Sequence, residues 1–250
     1  MLVMEIAGNY IHTPPGEAIG SGFEELYISV RGKEKRIASD RELVFLPDVD
    51  ESHVHYSEWL TRKRSSQRLI AYLTKKKKPL KILEIGCGNG WLSARLSAIP
   101  NTTVIGLDIN EVEINQAKRV FKKDNLDFLT VTFTPELFAD EKFDIILFAA
   151  SIQYFPSLKE TLKNALSCLD KQGEIHLVDT RFYEPVDVGG AIARCRDYYL
   201  RLGYPEMADH YFHHSIADLL LFNYRMLVNP RSLINRINKR TPFYWITIKH

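Results

Sequence analysis

The chain has little of what would staple or anchor a protein by means other than packing. Only three cysteines occur in 250 residues, Cys87, Cys168 and Cys195. An odd count without a C-x-x-C pair or metal-ligand spacing excludes a disulfide framework and fits a reduced compartment. No run approaches the roughly 18 apolar residues of a membrane span, and the N-terminus lacks the basic flank of a signal peptide. The expected setting is therefore the cytoplasm, with no membrane partner. Net charge is only +2, too small for a surface that tracks nucleic-acid phosphates. The one local exception is Lys75 to Lys78, which follows an apolar-periodic stretch from Trp59 to Leu73 and precedes Pro79. It reads as a helix C-terminus whose cations complement the dipole, with an RNA-binding patch as the competing reading. No internal repeat or low-complexity tract is visible. The length suits one large domain burying about 70–75% of its unfolded surface.

Against this plain background one segment stands out. In Lys81-Ile82-Leu83-Glu84-Ile85-Gly86-Cys87-Gly88-Asn89-Gly90-Trp91 a short apolar strand, ending on an acid, empties into three glycines at alternate positions. Glycine lets the backbone approach a ligand and reach φ > 0 without a Cβ clash, and a helix starting near Trp91 turns free N–H groups to the same spot. The dinucleotide fingerprint G-x-G-x-x-G does not fit, since the third glycine arrives one residue early and Trp91 occupies its place. Thr103 to Asp108 is a second apolar run ending in an acid, about 20 residues past the loop, the spacing at which a carboxylate meets ribose hydroxyls.

Glu84-x-Gly86-x-Gly88-x-Gly90 followed by Asp108 resembles motif I and the next strand of class I S-adenosylmethionine (SAM)-dependent methyltransferases. The resemblance covers about residues 57–250. It implies an α/β fold, a doubly wound, seven-stranded, mostly parallel sheet whose last two strands pair antiparallel at one edge, and SAM as cofactor. It also implies a site in which Glu84 and the loop Gly86, Cys87, Gly88, Asn89 and Gly90 face the methionine half, Asp108 the ribose and Ile109 the adenine. An acid often follows the third strand in that family. Here Thr132 stands in its place, so adenine recognition would rest on Thr132 or on backbone.

The rest of the pattern agrees with alternating strands and helices. Strands are expected at 81–85, 103–107, 127–132, 143–149 and 174–179. Ile114, Ala117 and Phe121 share one helical face, and Leu158, Leu162, Ala165, Leu166 and Leu169 form another. Gly173 is expected to end the second of these helices. Beyond Thr180 the composition turns aromatic and histidine-rich, and residues 181–214 are expected to form a helical cap insert after strand five. A helix over 215–222 and strands over 223–228 and 242–249 follow. Residues 1–56, with Pro14-Pro15-Gly16 and a charged stretch from Arg31 to Arg36, read as an irregular N-terminal extension. Residues 57–250 then form the methyltransferase-like domain.

In an open parallel sheet the ligand sits beyond the carboxyl ends of the strands near the switch point, which selects Ala150 on the cofactor side and Gln153, Tyr154 and Asp179 near an acceptor. Methyl transfer from a sulfonium needs mainly positioning and, for some acceptors, proton removal. His210, His214 and Tyr154 are therefore candidate catalytic groups, with Tyr211 and His213 beside the acceptor. Neighbouring histidines without a cysteine or carboxylate at ligand spacing make a poor metal site, so no metal is expected. His53 and His55 read as surface or core histidines. The expected function is SAM-dependent methylation of a small molecule. The alternatives are an RNA methyltransferase, with a basic face of Lys75 to Lys78, Arg62 and Arg64, and a SAM-binding regulator without catalysis. The absence of an Asn/Asp-Pro-Pro-Tyr tetrapeptide after strand four, where Ala149 to Ile152 stands, argues against the amino-methylating enzymes that share it. The acceptor atom and oligomeric state stay open.

Overall fold

The structure, a computed structural model, describes residues 21–233, 235 and 241–250. Pro14-Pro15-Gly16 lies outside them. Strands β1 (Leu80–Ile85), β2 (Thr102–Asp108), β3 (Leu126–Thr130), β4 (Phe143–Ala149), β5 (Leu169–Thr180), β6 (Asn223–Val228) and β7 (Tyr244–Lys249) build one sheet in the order β3-β2-β1-β4-β5-β7-β6. The pairs among β1 to β5 are parallel, and β7 runs antiparallel to both β5 and β6. Strand order reverses between β1 and β4, so the crevice of such a sheet opens at their carboxyl ends.

The apolar runs are nearly continuous because the central strands are covered on both faces. Ile82 packs with Leu69 and Leu73 of α3 (Tyr56–Thr74) and with Ile114 and Ala117 of α5 (Glu111–Val120). Leu83 and Ile85, pointing the other way, pack with Leu158, Leu162 and Ala165 of α6 (Leu158–Ser167). With period-two alternation, Glu84 falls on the Ile82 side and is buried there. The short α4 (Trp91–Leu96) starts directly on Gly90.

Three expectations change. Residues 21–33 and 40–45, read as irregular, are helices α1 (Ser21–Lys33) and α2 (Asp40–Phe45). Phe23, Leu26, Tyr27 and Val30 give α1 an i, i+3, i+4, i+7 face, and Ser39 with Glu42 forms a capping box at the start of α2. Gly173 does not end α6, which stops at Ser167, so Leu169, expected on the face of that helix, begins β5 instead. Gly173 lies within β5, where a Cβ would stand 2.7 Å from Leu169 Cγ and 3.0 Å from the Asp144 carbonyl oxygen, so close strand approach is what demands glycine. Residues 216–221 form a 3₁₀ rather than an α-helix.

The insert contains α7 (Val188–Leu202) and a 3₁₀ turn over Pro205–His210. Met207 and Tyr199 from it join Val30, Phe23 and Tyr27 of α1 in a third small core, separate from the two sheet cores. The N-terminal segment and the insert, far apart in sequence, thus meet over the carboxyl end of the sheet. No helix among the described residues is long and apolar enough to cross a membrane. Lys76 and Lys78 of the basic run are engaged by Glu174 at 2.8 Å and Asp144 at 2.5 Å.

Candidate active site

Gly86, Gly88 and Gly90 all adopt positive φ, at 73°, 53° and 73°. The reason for glycine is contact as much as conformation. A Cβ on Gly86 would lie 2.5 Å from Ser151 Cβ, because Ser151 donates its hydroxyl to the Ile85 carbonyl at 2.6 Å and draws the loop after β4 onto the loop after β1. At Gly90 a Cβ would enter the Phe128 ring at 2.4 Å, so this third glycine serves packing beneath the loop.

Asp108 closes the loop from the side. Its Oδ2 accepts the Gly88 N–H and its Oδ1 the Asn110 N–H, both at 2.9 Å. Burial raises its carboxyl, and the backbone donors of Asn110, Gly88 and Ile109 pull the other way. Helix α5 is capped not by Asp108 but by Asn110, whose side chain accepts the Glu113 N–H at 3.1 Å.

Two more carboxyls line the cavity that opens here. Burial pushes Glu84 up to about 8, although the Ser93 hydroxyl donates to it. Burial likewise pushes Glu113 up to about 7, opposed by the nearby Arg31 guanidinium and reinforced by Asp108. A Cβ on Gly88 would meet Glu113 Oε2 at 2.6 Å. The cavity measures about 1280 Å³, beyond the roughly 300–1,000 Å³ of a site for one ligand, so cofactor and acceptor have room together.

Across from the glycine loop the wall is aromatic. Tyr154 meets Tyr27 of α1 and Tyr211 of the insert edge-on, each at 5.7 Å between ring centres. Burial pushes the Tyr154 hydroxyl up to about 12, so it keeps its proton near neutrality and acts as a donor rather than a base. Gln153 ties the wall together, donating to the Ala150 carbonyl at 2.6 Å and accepting from Thr180 at 3.2 Å. Asp179 stands at the end of β5 with φ 56° and takes the Ser65 hydroxyl at 2.7 Å; burial raises its carboxyl. A non-glycine residue held at positive φ in a cleft is the kind of strain that functional sites keep.

The cavity brings together Glu84, Gly86, Cys87, Gly88, Asn89, Ala150, Gln153, Tyr154, Asp179, Tyr211 and His213 from the sequence reading. Gly90 and Asp108 do not line it: Gly90 is buried against Phe128, and Asp108 is half-buried and joined to the loop through the Gly88 N–H, with Ile109 half-buried beside it and Thr132 exposed past the end of β3. The two histidines expected as catalytic are turned elsewhere. His210 packs on Phe23 at 4.8 Å between rings, and His214 is buried with Nε2 3.0 Å from the Ile152 carbonyl oxygen. Of the three insert histidines, His213 is the one on the cavity wall; His53 and His55, read from the sequence as surface or core histidines, line the cavity as well. Burial and the neighbouring His214 lower its pKa, which leaves it neutral near pH 7. The sequence reading missed Tyr27, Arg31, Glu113, Trp59 and Arg62, which also line the cavity. The helical face of α1 was the available signal for the first two.

The fit to a cationic, adenosine-bearing cofactor rests on these features. The glycine loop offers a close backbone approach that a Cβ would fill, and Glu84, Asp108 and Glu113 supply carboxyls for a positively charged ligand and for hydroxyls. Among curated proteins the chain is similar to a ubiquinone biosynthesis O-methyltransferase of Pelagibacter ubique, 32% identical over 38% of this chain and 40% of that one. It is 29% identical to the ubiquinone/menaquinone biosynthesis C-methyltransferase UbiE of Campylobacter jejuni over 56% of this chain and 59% of that one. The chain thus matches only about 40–59% of the length of these relatives. Among solved structures, magnesium protoporphyrin IX methyltransferase of Synechocystis PCC 6803 with bound SAH superposes with TM-score 0.55 at 14% identity, over 92% of this chain and 95% of that one. The plantazolicin methyltransferase BpumL, in complex with a triazolic desmethylPZN analog and SAH, gives TM-score 0.53 at 18% identity over 92% and 97%. At these identities the two share its fold. The methyltransferase domain model matches residues 76–200, from the end of α3 through the glycine loop and sheet into α7, and the chain belongs to that methyltransferase domain family.

Proposed function

We propose that this chain is a SAM-dependent methyltransferase acting on a small-molecule acceptor held between α1, the loop after β4 and the insert. One observation carries the reading: at the switch point of the sheet, Asp108 and the glycine loop are joined by the Gly88 N–H and open into a cavity with room for two ligands. Bound SAM supplies an activated methyl on a sulfonium. The chain's own residues do the rest. Glu84 and the loop hold the cofactor's amino-acid end, Asp108 its ribose, and Tyr154 and Gln153 fix the acceptor in line, which is where most of the rate arises. For an acceptor that must lose a proton, His213 and Asp179 are two cavity-lining groups on the acceptor side able to take it.

A small acceptor is favoured over RNA because much of the basic face is neutralised internally: Lys76 by Glu174, Lys78 by Asp144 and Arg62 by Glu58. The relatives named for quinone biosynthesis point the same way. The roomy, polar acceptor side favours catalysis over a purely regulatory SAM-binding role. Calorimetric titration of SAM into wild type, Gly88→Val and Asp108→Ala tests the reading. Gly88→Val should abolish binding, and Asp108→Ala should weaken it by about 1.5–3 kcal/mol through loss of a charge-assisted hydrogen bond. Unchanged affinity in both variants overturns the assignment, and tight NAD binding in place of SAM would make the loop a dinucleotide site.

A further inference from the structure

We propose that the guanidinium of Arg31 is the seat for a carboxylate carried by the methyl acceptor, which makes the acceptor a ring-bearing acid. The inference rests on the methyltransferase reading above and narrows its substrate class.

Arg31 lies in the last turn of α1 and lines the cavity, to which the residue is partly open, while its Nε is buried without any hydrogen-bond partner among the described residues. An arginine is always charged, and a buried cation lacking a partner is costly. The acids that act on it are Glu113 and Glu34. Glu34 is already taken, by Arg36 at 3.1 Å and by the Tyr198 hydroxyl. Burial raises the Glu113 carboxyl, and among the described residues it makes neither a hydrogen bond nor an ion pair with Arg31. Among the described residues the guanidinium is left facing the cavity with its fork unfilled. That fork matches a planar carboxylate, and one guanidinium among neighbouring acids suits a single negative charge better than a phosphate dianion.

The seat lies at the border between cofactor and acceptor. The glycine-loop half of the cavity carries the carboxyls of Glu84 and Glu113 and suits a ligand of net positive charge, and Arg31 acts on Glu113, beside Gly88, from the edge of that half. On its other side Arg31 overlies the Tyr27 ring at 5.7 Å, and Tyr27 meets Tyr154, which contacts Tyr211 of the insert. Three tyrosine rings beside a vacant guanidinium suit a flat acid, the rings taking its faces and edges and Arg31 its charge.

The test uses the full chain saturated with SAH and compares 4-hydroxybenzoate with 4-hydroxybenzamide by calorimetry. The acid should bind at least about tenfold more tightly than the amide. Arg31→Met should erase that preference and Arg31→Lys should keep part of it, while the Kd for SAH stays within about threefold in both variants. The melting temperature of ligand-free Arg31→Met should stay within a few degrees of wild type, since the guanidinium makes no hydrogen bond or ion pair among the described residues that its loss would break. No preference for the acid in wild type overturns the proposal, as does a preference that survives Arg31→Met. A fall of several degrees in the melting temperature of Arg31→Met makes the residue structural. If Arg31→Met weakens SAH tenfold but leaves 5′-methylthioadenosine, which lacks the amino-acid carboxylate, unchanged, Arg31 holds the cofactor and the proposal fails. Failure of SAH to bind wild type at all would instead remove the methyltransferase reading beneath it.

Discussion

Ser151 donates its hydroxyl to the Ile85 carbonyl at 2.6 Å and so locks the loop after β4 to the loop after β1 across the switch point of the sheet. The bond is buried, and it accounts for glycine at 86. Ser151→Ala leaves the Ile85 carbonyl without this partner in a dry place, and should cost about 1–2 kcal/mol, or about 2–8 °C in melting temperature for a domain of this size. Gly86→Ala adds a Cβ at positive φ against Ser151. It should lower SAM affinity more than Ser151→Ala does, because the strained segment is the one that meets the ligand. Calorimetry and thermal melts on both variants check the order.

Glu84 gives a pH signature. Burial pushes its carboxyl up to about 8, above the ordinary 4.5 that the unfolded chain would show. Between those values folding takes up a proton, so this residue's contribution to stability falls as pH rises from about 5 to 8. Glu84→Gln removes the dependence, and the ligand-free variant should gain in melting temperature relative to wild type as pH approaches 8. A cationic ligand favours the ionised form, so wild-type SAM affinity should climb with pH through the same window, by up to about tenfold per unit. The Gln variant should bind weakly at every pH. Melting curves and titrations at pH 6, 7 and 8 read both effects.

Glu174 shows the opposite sign at the far end of the sheet. Burial alone would raise its carboxyl, but hydrogen bonds from His176, Lys76 and Lys249 hold it well below the usual range. Tyr72 also donates to it, and Trp245 donates to His176 Nδ1 at 3.0 Å, which turns the His176 Nε2–H toward Glu174. The stability it contributes is full above about pH 4.5 and is lost as pH falls toward its lowered value. Glu174→Gln should cost about 3 kcal/mol near neutrality, shrinking in acid, while SAM affinity is unchanged. Chemical denaturation at pH 4 and 7 measures the difference.

The three histidines of the insert should separate by role. His213→Ala should reduce turnover with SAM affinity within about 1 kcal/mol of wild type, because its ring faces the cavity. His214→Ala should act through stability, since its Nε2 meets the Ile152 carbonyl inside the fold, and His210→Ala should disturb only the contact with Phe23. Tyr154→Phe should lower turnover without shifting the pH–rate profile, because the hydroxyl does not ionise in the working range. Single-turnover methyl transfer across pH, once an acceptor is in hand, distinguishes them.

Binding to bulk tRNA at about 0.15 M salt should stay in the weak, non-specific range of about 10⁻⁴ to 10⁻⁶ M. Sub-micromolar binding lost on neutralising Lys75 to Lys78 would favour the RNA reading, and gel shift or fluorescence anisotropy suffices.

The sequence by itself determined the sheet's parallel core, the glycine loop and the position of Asp108, because each depends on short-range facts: apolar runs, positive φ that glycine tolerates, and a fixed spacing between strand ends. Tertiary structure decided the acceptor side. The apolar face of α1 was present in Phe23, Leu26, Tyr27 and Val30, but its meaning depended on Tyr199 and Met207, which pack on it from the insert. Gly173 showed the same limit, since a neighbouring strand rather than a helix end requires it. Which histidine reaches the cavity, and whether Arg31 finds a counter-ion, follow from how side chains distant in sequence share one desolvated space. Local pattern carries no record of that sharing; it arises only when burial forces every charge and hydrogen-bonding group to find a partner or face a cavity.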